Sequence, residues 1–214
     1  DIDYAVLGKE ETCTGDSARR LGEEYLFETL AKQNIETMSK YKFNKIVASC
    51  PHCMHTILNE YPDFGGDYEV IHHTELIEEL ISTGKLKTNI NSDETITFHD
   101  PCYLGRHNKI YNEPRNILKS VADIENIIEM KENRESSMCC GAGGGNMWHE
   151  INEGERINVN RFNQAVETGA TTVATACSFC TIMMDDAMKV TGNEGRMKVQ
   201  DIAEIVSDSI ESSV

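Results

Sequence analysis

Apolar residues along the chain follow two different spacings, one typical of β-strands and the other of amphipathic helices. Short β-branched and apolar runs bounded by turn residues predict strands. These strands are expected at 3–7, 44–49, 68–72, 94–98, 125–129, 172–176 and 196–199. Apolar residues three and four positions apart predict helices, the first capped by Asp16 and Ser17 and the fourth with Pro114 near its start. These helices are expected at 16–39, 52–60, 74–84, 112–121, 153–168, 178–190 and 201–212.

Strands and helices alternate along the chain, and this order predicts an α/β fold with parallel sheets and right-handed crossovers. The polar segment 85–93 interrupts the alternation. We therefore expect two parallel-sheet, Rossmann-like halves, formed by residues 1–88 and residues 89–214.

The two halves are expected to be homologous, because three cysteines recur after one constant spacing. Each has a counterpart 127 residues later in the chain: Cys13 with Cys140, Cys50 with Cys177 and Cys53 with Cys180. The segments 45–53 and 172–180 agree in pattern, since each is a β-branched apolar run that ends in C-x-x-C and enters a helix. This spacing predicts a pseudo-twofold repeat with a cysteine-rich metal site in each half.

Composition and charge restrict the function. The chain has 214 residues, enough for a buried core, and no apolar run of the roughly 18–20 residues that span a bilayer. Its net charge of −16 argues against nucleic-acid binding and favours a basic docking partner, or no charge-driven partner. The eight cysteines cluster in C-x-x-C and Cys-Cys groups, which is typical of metal ligands rather than disulfides. A protein of the reducing cytoplasm is therefore expected.

Five cysteines of the second half form the more complete candidate metal site: Cys102, Cys139, Cys140, Cys177 and Cys180. Each follows a predicted strand or begins a predicted helix, where ligands bind in α/β sheets and where helix dipoles stabilise thiolates. A closed zinc site and a cubane cluster each take four ligands, so five thiols favour a larger or open-edged iron–sulfur cluster over zinc. The glycines that follow Cys140 would let backbone N–H groups approach the cluster sulfides.

The order Cys102-x36-Cys139-Cys140-Gly-x35-Cys177-x-x-Cys180 resembles the cysteine-rich (CCG) domain of heterodisulfide reductase catalytic subunits. The segments 11–20 and 99–108 are most similar to a related branch, the membrane-linked iron–sulfur oxidoreductases. The resemblance implies two copies of the domain over the whole chain, with a non-cubane 4Fe–4S cluster on each complete motif. It also implies that paired clusters cleave a disulfide in heterodisulfide reductases.

The first half departs from this motif, because Thr12 stands where the constant spacing places Cys139, the first of the two adjacent cysteines. Cys13, Cys50 and Cys53 remain as an incomplete second metal site. With a fourth ligand, this site would hold a second 4Fe–4S cluster or zinc, and without one it would hold no metal. Four histidines are candidates for completing a zinc site: His52, His55, His72 and His73.

The first repeat has no counterpart of Cys102. Cys102 lies 38 positions before Cys140, so the counterpart of Cys102 would lie about 25 residues before Asp1. We expect the first repeat to be truncated at its N-terminal side, and the parent protein to have a strand and a further cysteine there.

Two histidines are candidates for catalysis, although the motif assigns no catalytic residue. His99, with Asp100, directly precedes the ligand Cys102, and would deliver protons, hydrogen-bond to a sulfur, or belong to a simple strand-end turn. His107 would supply protons, bind substrate, or lie in a surface loop.

Together these observations predict an iron–sulfur oxidoreductase component, working in electron transfer or in heterodisulfide reductase-like thiol–disulfide chemistry. The resemblance implies a flavoprotein or ferredoxin-type donor, a quinone or disulfide acceptor, and a membrane subunit or fused membrane domain. It places the chain in the cytoplasm or at the cytoplasmic face of a membrane, as part of a larger protein. The alternative is a non-catalytic zinc- or cluster-binding module with a structural or interaction role.

Overall fold

The structure, a computed structural model, describes residues 2–91, 93–148 and 154–210. Its five strands are β1 (Ile46–Ala48), β2 (Val70–His72), β3 (Ile96–Phe98), β4 (Thr172–Thr175) and β5 (Lys198–Asp201). The helices of the first half are α1 (Asp16–Arg20), α2 (Glu24–Met38), α3 (Pro51–Asn59) and α4 (His73–Ser82). Those of the second half are α5 (Asn112–Val121), α6 (Ile157–Glu167), α7 (Ser178–Val190) and α8 (Ile202–Ser209).

The strands form two small parallel sheets, and these sheets confirm the expected α/β fold of two similar halves. β1 pairs with β2 in the first sheet, and the second has the order β3-β4-β5. The two sheets share one register, because Ile46 lies opposite Val70 in the first and Val173 lies opposite Val199 in the second. β1 and β4 are therefore equivalent strands, and so are β2 and β5.

The strand-to-helix junctions after β2 and β5 repeat as well. His72 caps α4 through its side chain, while the Glu75 side chain accepts from the His72 backbone N–H. Asp201 and Glu204 form the same capping box at the start of α8. Such a box satisfies free backbone N–H groups at a helix start. The repeat thus extends from the cysteine motifs to the ends of the strands.

Three predicted elements are absent, divided or reduced in the structure, while the others agree to within a few residues at each end. Residues 153, 211 and 212 of two predicted helices lie outside the described residues. The strand expected at 3–7 is wrong: Tyr4 and Val6 are exposed, and no described strand offers that segment a hydrogen-bonding partner. The helix expected at 16–39 is divided into α1 and α2 at Gly22, whose φ of +85° is left-handed. The strand expected at 125–129 is reduced to a single parallel bridge between Ile127 and Ile96.

The two halves pack closely through α4, which belongs to the first half and lies against α5 and α8 of the second. Ile77 and Ile81 of α4 pack on the apolar core that covers β3. The boundary segment also attaches to the second half, since Thr88 bridges to Ile210 and the Asn91 N–H donates to the Val121 carbonyl. The sheets and their cysteine-bearing loops are therefore held against each other.

The first sheet has one strand fewer than the second. β4 is flanked on both sides, whereas in the part of the chain that the structure describes no strand pairs with the outer edge of β1. Val47 of β1 is 44% exposed, while the equivalent strand β4 is buried throughout. None of the helices among these described residues is long and apolar enough to cross a membrane.

Candidate metal centre

Two C-x-x-C motifs begin two equivalent helices. Cys50 and Cys177 occupy the N-cap positions of α3 and α7, and Cys53 and Cys180 lie in the first turn of each helix. Both caps follow a parallel strand directly, at the edge of the sheet where ligands bind in α/β folds. Free N–H groups and the helix dipole at these positions favour negatively charged sulfur.

The adjacent cysteines of the second half reach this position from a loop. The Cys139 thiol lies next to that of Cys102, and the Cys140 thiol lies next to that of Cys180. The N–H of Gly141 also donates to the Cys139 sulfur at 3.3 Å. This turn requires a glycine, because Gly141 has a φ of +91° and a Cβ there would lie 3.2 Å from Ile157. All five predicted second-half cysteines are thus linked by sulfur contacts.

The first half repeats this turn, but in a different alignment from the one predicted. The N–H of Gly15, whose φ is +88°, donates to the Cys13 sulfur at 3.4 Å, as Gly141 does to Cys139. Cys13 therefore corresponds to Cys139 and not to Cys140. Thr14 takes the place of the missing cysteine, and the assignment of Thr12 to that place was wrong. The constant spacing of 127 residues gave the wrong alignment of this turn, because the turn in the first half is displaced by one residue.

Thr14 also reproduces the contact that a cysteine would make. Its hydroxyl donates to the Cys53 sulfur at 3.4 Å, as Cys140 contacts Cys180 in the second half. Thr12 points elsewhere, since its hydroxyl donates to the Asn34 amide oxygen at 2.7 Å. The first-half site is therefore a threonine variant of the second-half site.

The thiols of the two halves join in one continuous run. Cys50 lies next to Cys177, and each of these is next to the other cysteine of its own motif. Cys180 in turn lies next to Cys140. Seven thiols lie along this run in the order Cys102, Cys139, Cys140, Cys180, Cys177, Cys50 and Cys53. Cys13 lies beside Cys53 at its first-half end and is exposed. Sequence reasoning did not foresee that the two sets would touch.

Without a cation, these crowded thiols cannot all ionise. The neighbouring thiols of Cys102 and Cys140, with the Gly141 N–H, lower the pKa of Cys139 to about 2. The Cys139 thiolate and burial raise the pKa of Cys140 to about 12, although its contact with Cys180 opposes them. Contact with Cys177 lowers the pKa of Cys50 in the same way. Cys139 and Cys50 are thus the thiols that ionise most readily, while the pKa values of the other thiols in the run are raised. A bound metal would release the protons that these thiols keep.

His99 lies beside the second-half thiols. One of its ring nitrogens is within 4.8 Å of the sulfurs of Cys140 and Cys180, the one such group of metal-ligand atoms among the described residues. Arg161 donates from Nε to His99 Nδ1 at 2.9 Å. Burial and the positive charge of Arg161 lower the pKa of His99 to about 3. Sequence analysis missed Arg161, although an arginine beside Phe162 on the apolar face of a predicted helix was a visible signal.

A buried ion pair fixes the loop that leads to Cys102. The Asp100 carboxylate receives two hydrogen bonds from Arg115, at 2.8 and 2.9 Å, and a third from the Arg134 N–H. The side chains of Arg115 and Asp100 are only 5% and 3% exposed. Glu129 binds the other edge of the same guanidinium. Asp100 therefore has a structural role here beyond capping a strand-end turn.

The other catalytic candidate, His107, lies at the surface, at the end of a stack of rings. Tyr103 stacks on His52 with ring centroids 3.9 Å apart and on His107 at 4.4 Å. Residues 103–107 form one π-helical turn directly after Cys102, and this turn brings both rings to the same side. His107 is exposed and belongs to no compact group of metal-ligand atoms among the described residues.

The four histidines considered for a zinc site have other partners. His52 Nδ1 lies 3.0 Å from an Asp16 carboxylate oxygen, and His73 Nε2 lies 3.0 Å from Asp201. His72 caps α4, and His55 approaches Asn108. None of them forms a compact ligand group with the first-half cysteines in the described parts of the chain.

A small cavity of about 190 Å³ adjoins the glycine turn after Cys140. Gly141, Asn158 and Met183 lie in its wall, together with the ion pair of Arg156 and Asp186. The cavity belongs to the second half and lies beside the loop that holds Cys139 and Cys140. Its size limits it to a small group or to a few water molecules.

The cysteine turns, the paired C-x-x-C helices and the repeated sheets together define a cysteine-rich redox or metal-binding protein. The model of the cysteine-rich domain CCG matches residues 1–58 and 96–185, and the chain belongs to this family. The predicted resemblance is thus confirmed, and its two matched segments agree with the two halves of the fold.

Several relatives of the chain are named as oxidoreductases or as subunits of one. It is 44% identical to the probable iron-sulfur-binding oxidoreductase FadF of Bacillus subtilis and 42% identical to the EtfAB:quinone oxidoreductase of Syntrophomonas wolfei. Each match covers 98% of the chain and 30% of the relative. It is also 32% identical to a subunit of the dihydromethanophenazine:CoB--CoM heterodisulfide reductase of Methanosarcina barkeri, over 98% of the chain and 52% of that relative. The chain thus spans about a third to a half of these proteins.

Proposed function

We propose that the chain is the thiol-rich electron-transfer part of an iron–sulfur oxidoreductase related to heterodisulfide reductases. The observation that supports this most is the continuous run of seven thiols across the two halves. An isolated zinc site would need four ligands and no such continuation. The names of FadF and of the quinone oxidoreductase describe redox proteins, which is consistent with this role.

The second-half thiols fit a cluster better than the first-half thiols do. Cys102, Cys139, Cys140, Cys177 and Cys180 would hold a 4Fe–4S cluster, which we propose to be of the non-cubane type because five thiols exceed the needs of a cubane. When bound, such a cluster supplies one-electron transfer. The chain holds the ligands through helix N-termini and the Gly141 turn, and it excludes water, since Cys177 and Cys180 are almost completely buried.

The first half would hold a second, incomplete metal site on Cys13, Cys50 and Cys53. Thr14 offers a hydroxyl where the second half has a thiol. A hydroxyl is a weaker ligand for iron or zinc than a thiolate, so we propose weaker metal binding here, either of a second 4Fe–4S cluster or of zinc. The contact between Cys50 and Cys177 would place the two sites next to each other.

We propose that the two repeats divide between residues 88 and 89. The donor would be a flavoprotein or a ferredoxin-type module, and the acceptor a quinone or a disulfide. A fused or separate membrane part would then place the chain at the cytoplasmic face of a membrane. The name of the quinone oxidoreductase from Syntrophomonas supports the flavoprotein and quinone assignments for that relative, and by similarity for this chain.

A zinc-binding structural module is the rival function, and the group of His99, Cys140 and Cys180 is the observation that favours it. Iron and acid-labile sulfide, measured after anaerobic reconstitution, distinguish the two. Wild-type protein should show broad thiolate-to-iron absorption that is lost in Cys140→Ser. A protein that takes up one zinc and no iron would overturn the proposal. Absorption that persists in Cys140→Ser would show that Cys140 is not a ligand of the cluster.

A further inference from the structure

The hydrogen bond from Arg161 determines which nitrogen of His99 has the proton. A guanidinium group has only donors, so Nδ1 of His99, which lies 2.9 Å from Arg161 Nε, must accept with its lone pair. A doubly protonated imidazole has no such lone pair. The ring is therefore neutral, and its one proton is on Nε2.

Arg161 is itself fixed, which makes this tautomer a property of the fold. Its side chain is completely buried, and it donates from Nη1 to the Glu132 carbonyl at 2.8 Å and from Nη2 to the Ser137 hydroxyl at 3.1 Å. Ser137 precedes Cys139 by two residues, so the same guanidinium connects His99 to the loop of the adjacent cysteines. Nδ1 is thus occupied and unable to bind a metal.

The Nε2–H group of His99 lacks an acceptor. His99 is 1% exposed, and its Nε2 atom has no hydrogen-bond partner among the described residues. A buried donor without an acceptor is unfavourable and usually indicates a missing partner. The ring lies within 4.8 Å of the sulfurs of Cys140 and Cys180, so an acceptor bound to these thiols would be close to the ring.

We propose that Nε2–H of His99 donates a hydrogen bond to a sulfur of the cluster bound by Cys140 and Cys180, an inference that rests on the proposed function. His99 is accordingly not a metal ligand, and it keeps its Nε2 proton rather than transferring it to a substrate. A hydrogen bond to a cluster sulfur stabilises the more negatively charged, reduced state. His99 therefore raises the reduction potential of the second-half cluster above the value that the thiols alone would give.

Two substitutions separate the functions of the two ring nitrogens. His99→Asn keeps an acceptor near the position of Nδ1, for Arg161, but has no donor near that of Nε2. His99→Gln places an amide N–H near the Nε2 position. We expect a more negative midpoint potential in His99→Asn than in wild type and a smaller shift in His99→Gln, both at unchanged iron content. Equal potentials in wild type and His99→Asn would overturn the inference.

Pulsed electron paramagnetic resonance of reduced wild-type protein gives a second test that requires no variant. A hydrogen bond should appear as an exchangeable proton coupled to the cluster, with only weak coupling to a histidine nitrogen. Strong nitrogen coupling, or loss of one iron in both variants, would show that His99 is a ligand and overturn the inference. Absence of iron from wild-type protein would instead overturn the proposed function itself.

Discussion

The thiol of Cys50 lies next to the thiol of Cys177, across the boundary between the two halves of the fold. Each cysteine occupies the N-cap position of an equivalent helix, so the contact joins equivalent positions of the two halves. Cys177 is completely buried and Cys50 nearly so. The cysteine sets of the two halves therefore meet at these two side chains.

This contact predicts that a substitution in the first half alters the second-half cluster. Cys50→Ser should shift the absorption and paramagnetic resonance spectra of that cluster, because the Cys177 sulfur loses its neighbour. Cys13→Ser is the matched control, since Cys13 is exposed and lies at the far end of the run. Spectra of the reconstituted variants measure the effect, and equal changes in both variants would contradict the cross-half contact.

The threonine in the first half gives a second prediction. Thr14→Cys should place a thiol beside Cys53 and complete four thiols in that half, because the Thr14 hydroxyl already lies 3.4 Å from the Cys53 sulfur. We expect additional thiolate-to-metal absorption when this variant is titrated with Co²⁺. Thr12→Cys is the control, since Thr12 contacts Asn34 instead. A greater gain in absorption in Thr12→Cys than in Thr14→Cys would instead support the alignment that the constant spacing predicted.

The alternation of strands and helices was sufficient to predict the architecture, and α5 and α7 begin and end at the residues expected. These helices have clear apolar periodicity and, in α5, a proline in the first turn. The strand predicted at 3–7 failed because a strand needs a partner, and local pattern does not show whether one is present. Pairing partners are long-range properties that periodicity alone does not determine.

The same limit applies to the metal centre. Spacing identified the cysteines of each half, but it did not show that Cys50 would meet Cys177, because that contact depends on how the halves pack. It also aligned Cys13 with the wrong partner, since only the left-handed turns at Gly15 and Gly141 fix the correspondence. Arg161 was missed because a buried arginine depends on partners in three separate segments.

The buried ion pair of Arg115 and Asp100 predicts a large loss of stability on truncation. Arg115→Ala removes both hydrogen bonds to a carboxylate that is 3% exposed, and breaking such a pair costs about 3–5 kcal/mol in the free energy of unfolding. Lys189→Ala removes only the exposed pair with Asp185 and should lower the free energy of unfolding far less. Denaturant unfolding of both variants measures the difference. Similar losses would show that the Asp100 pair is not structural.

The last prediction concerns pH and His72, whose side chain is completely buried. Burial, helped by the neighbouring His73, lowers the pKa of His72 from 6.5 to about 3. Below pH 6.5 the unfolded chain therefore takes up a proton that the folded chain does not. This contribution to stability is complete above pH 6.5, and it is lost progressively as the pH falls towards about 3.

His72→Asn removes the titrating ring and keeps a side-chain oxygen that can cap α4, as Asp201 caps α8. Lowering the pH from 8 to 5 should destabilise wild type by about 2 kcal/mol more than the variant, since one pKa unit corresponds to about 1.4 kcal/mol. Acid damage to a bound cluster affects both proteins, so the difference in their unfolding free energies isolates His72. Parallel curves over this range would mean that His72 takes up its proton in the folded protein as it does in the unfolded chain, and hence that a nearby negative charge, such as the Asp201 carboxylate, compensates it.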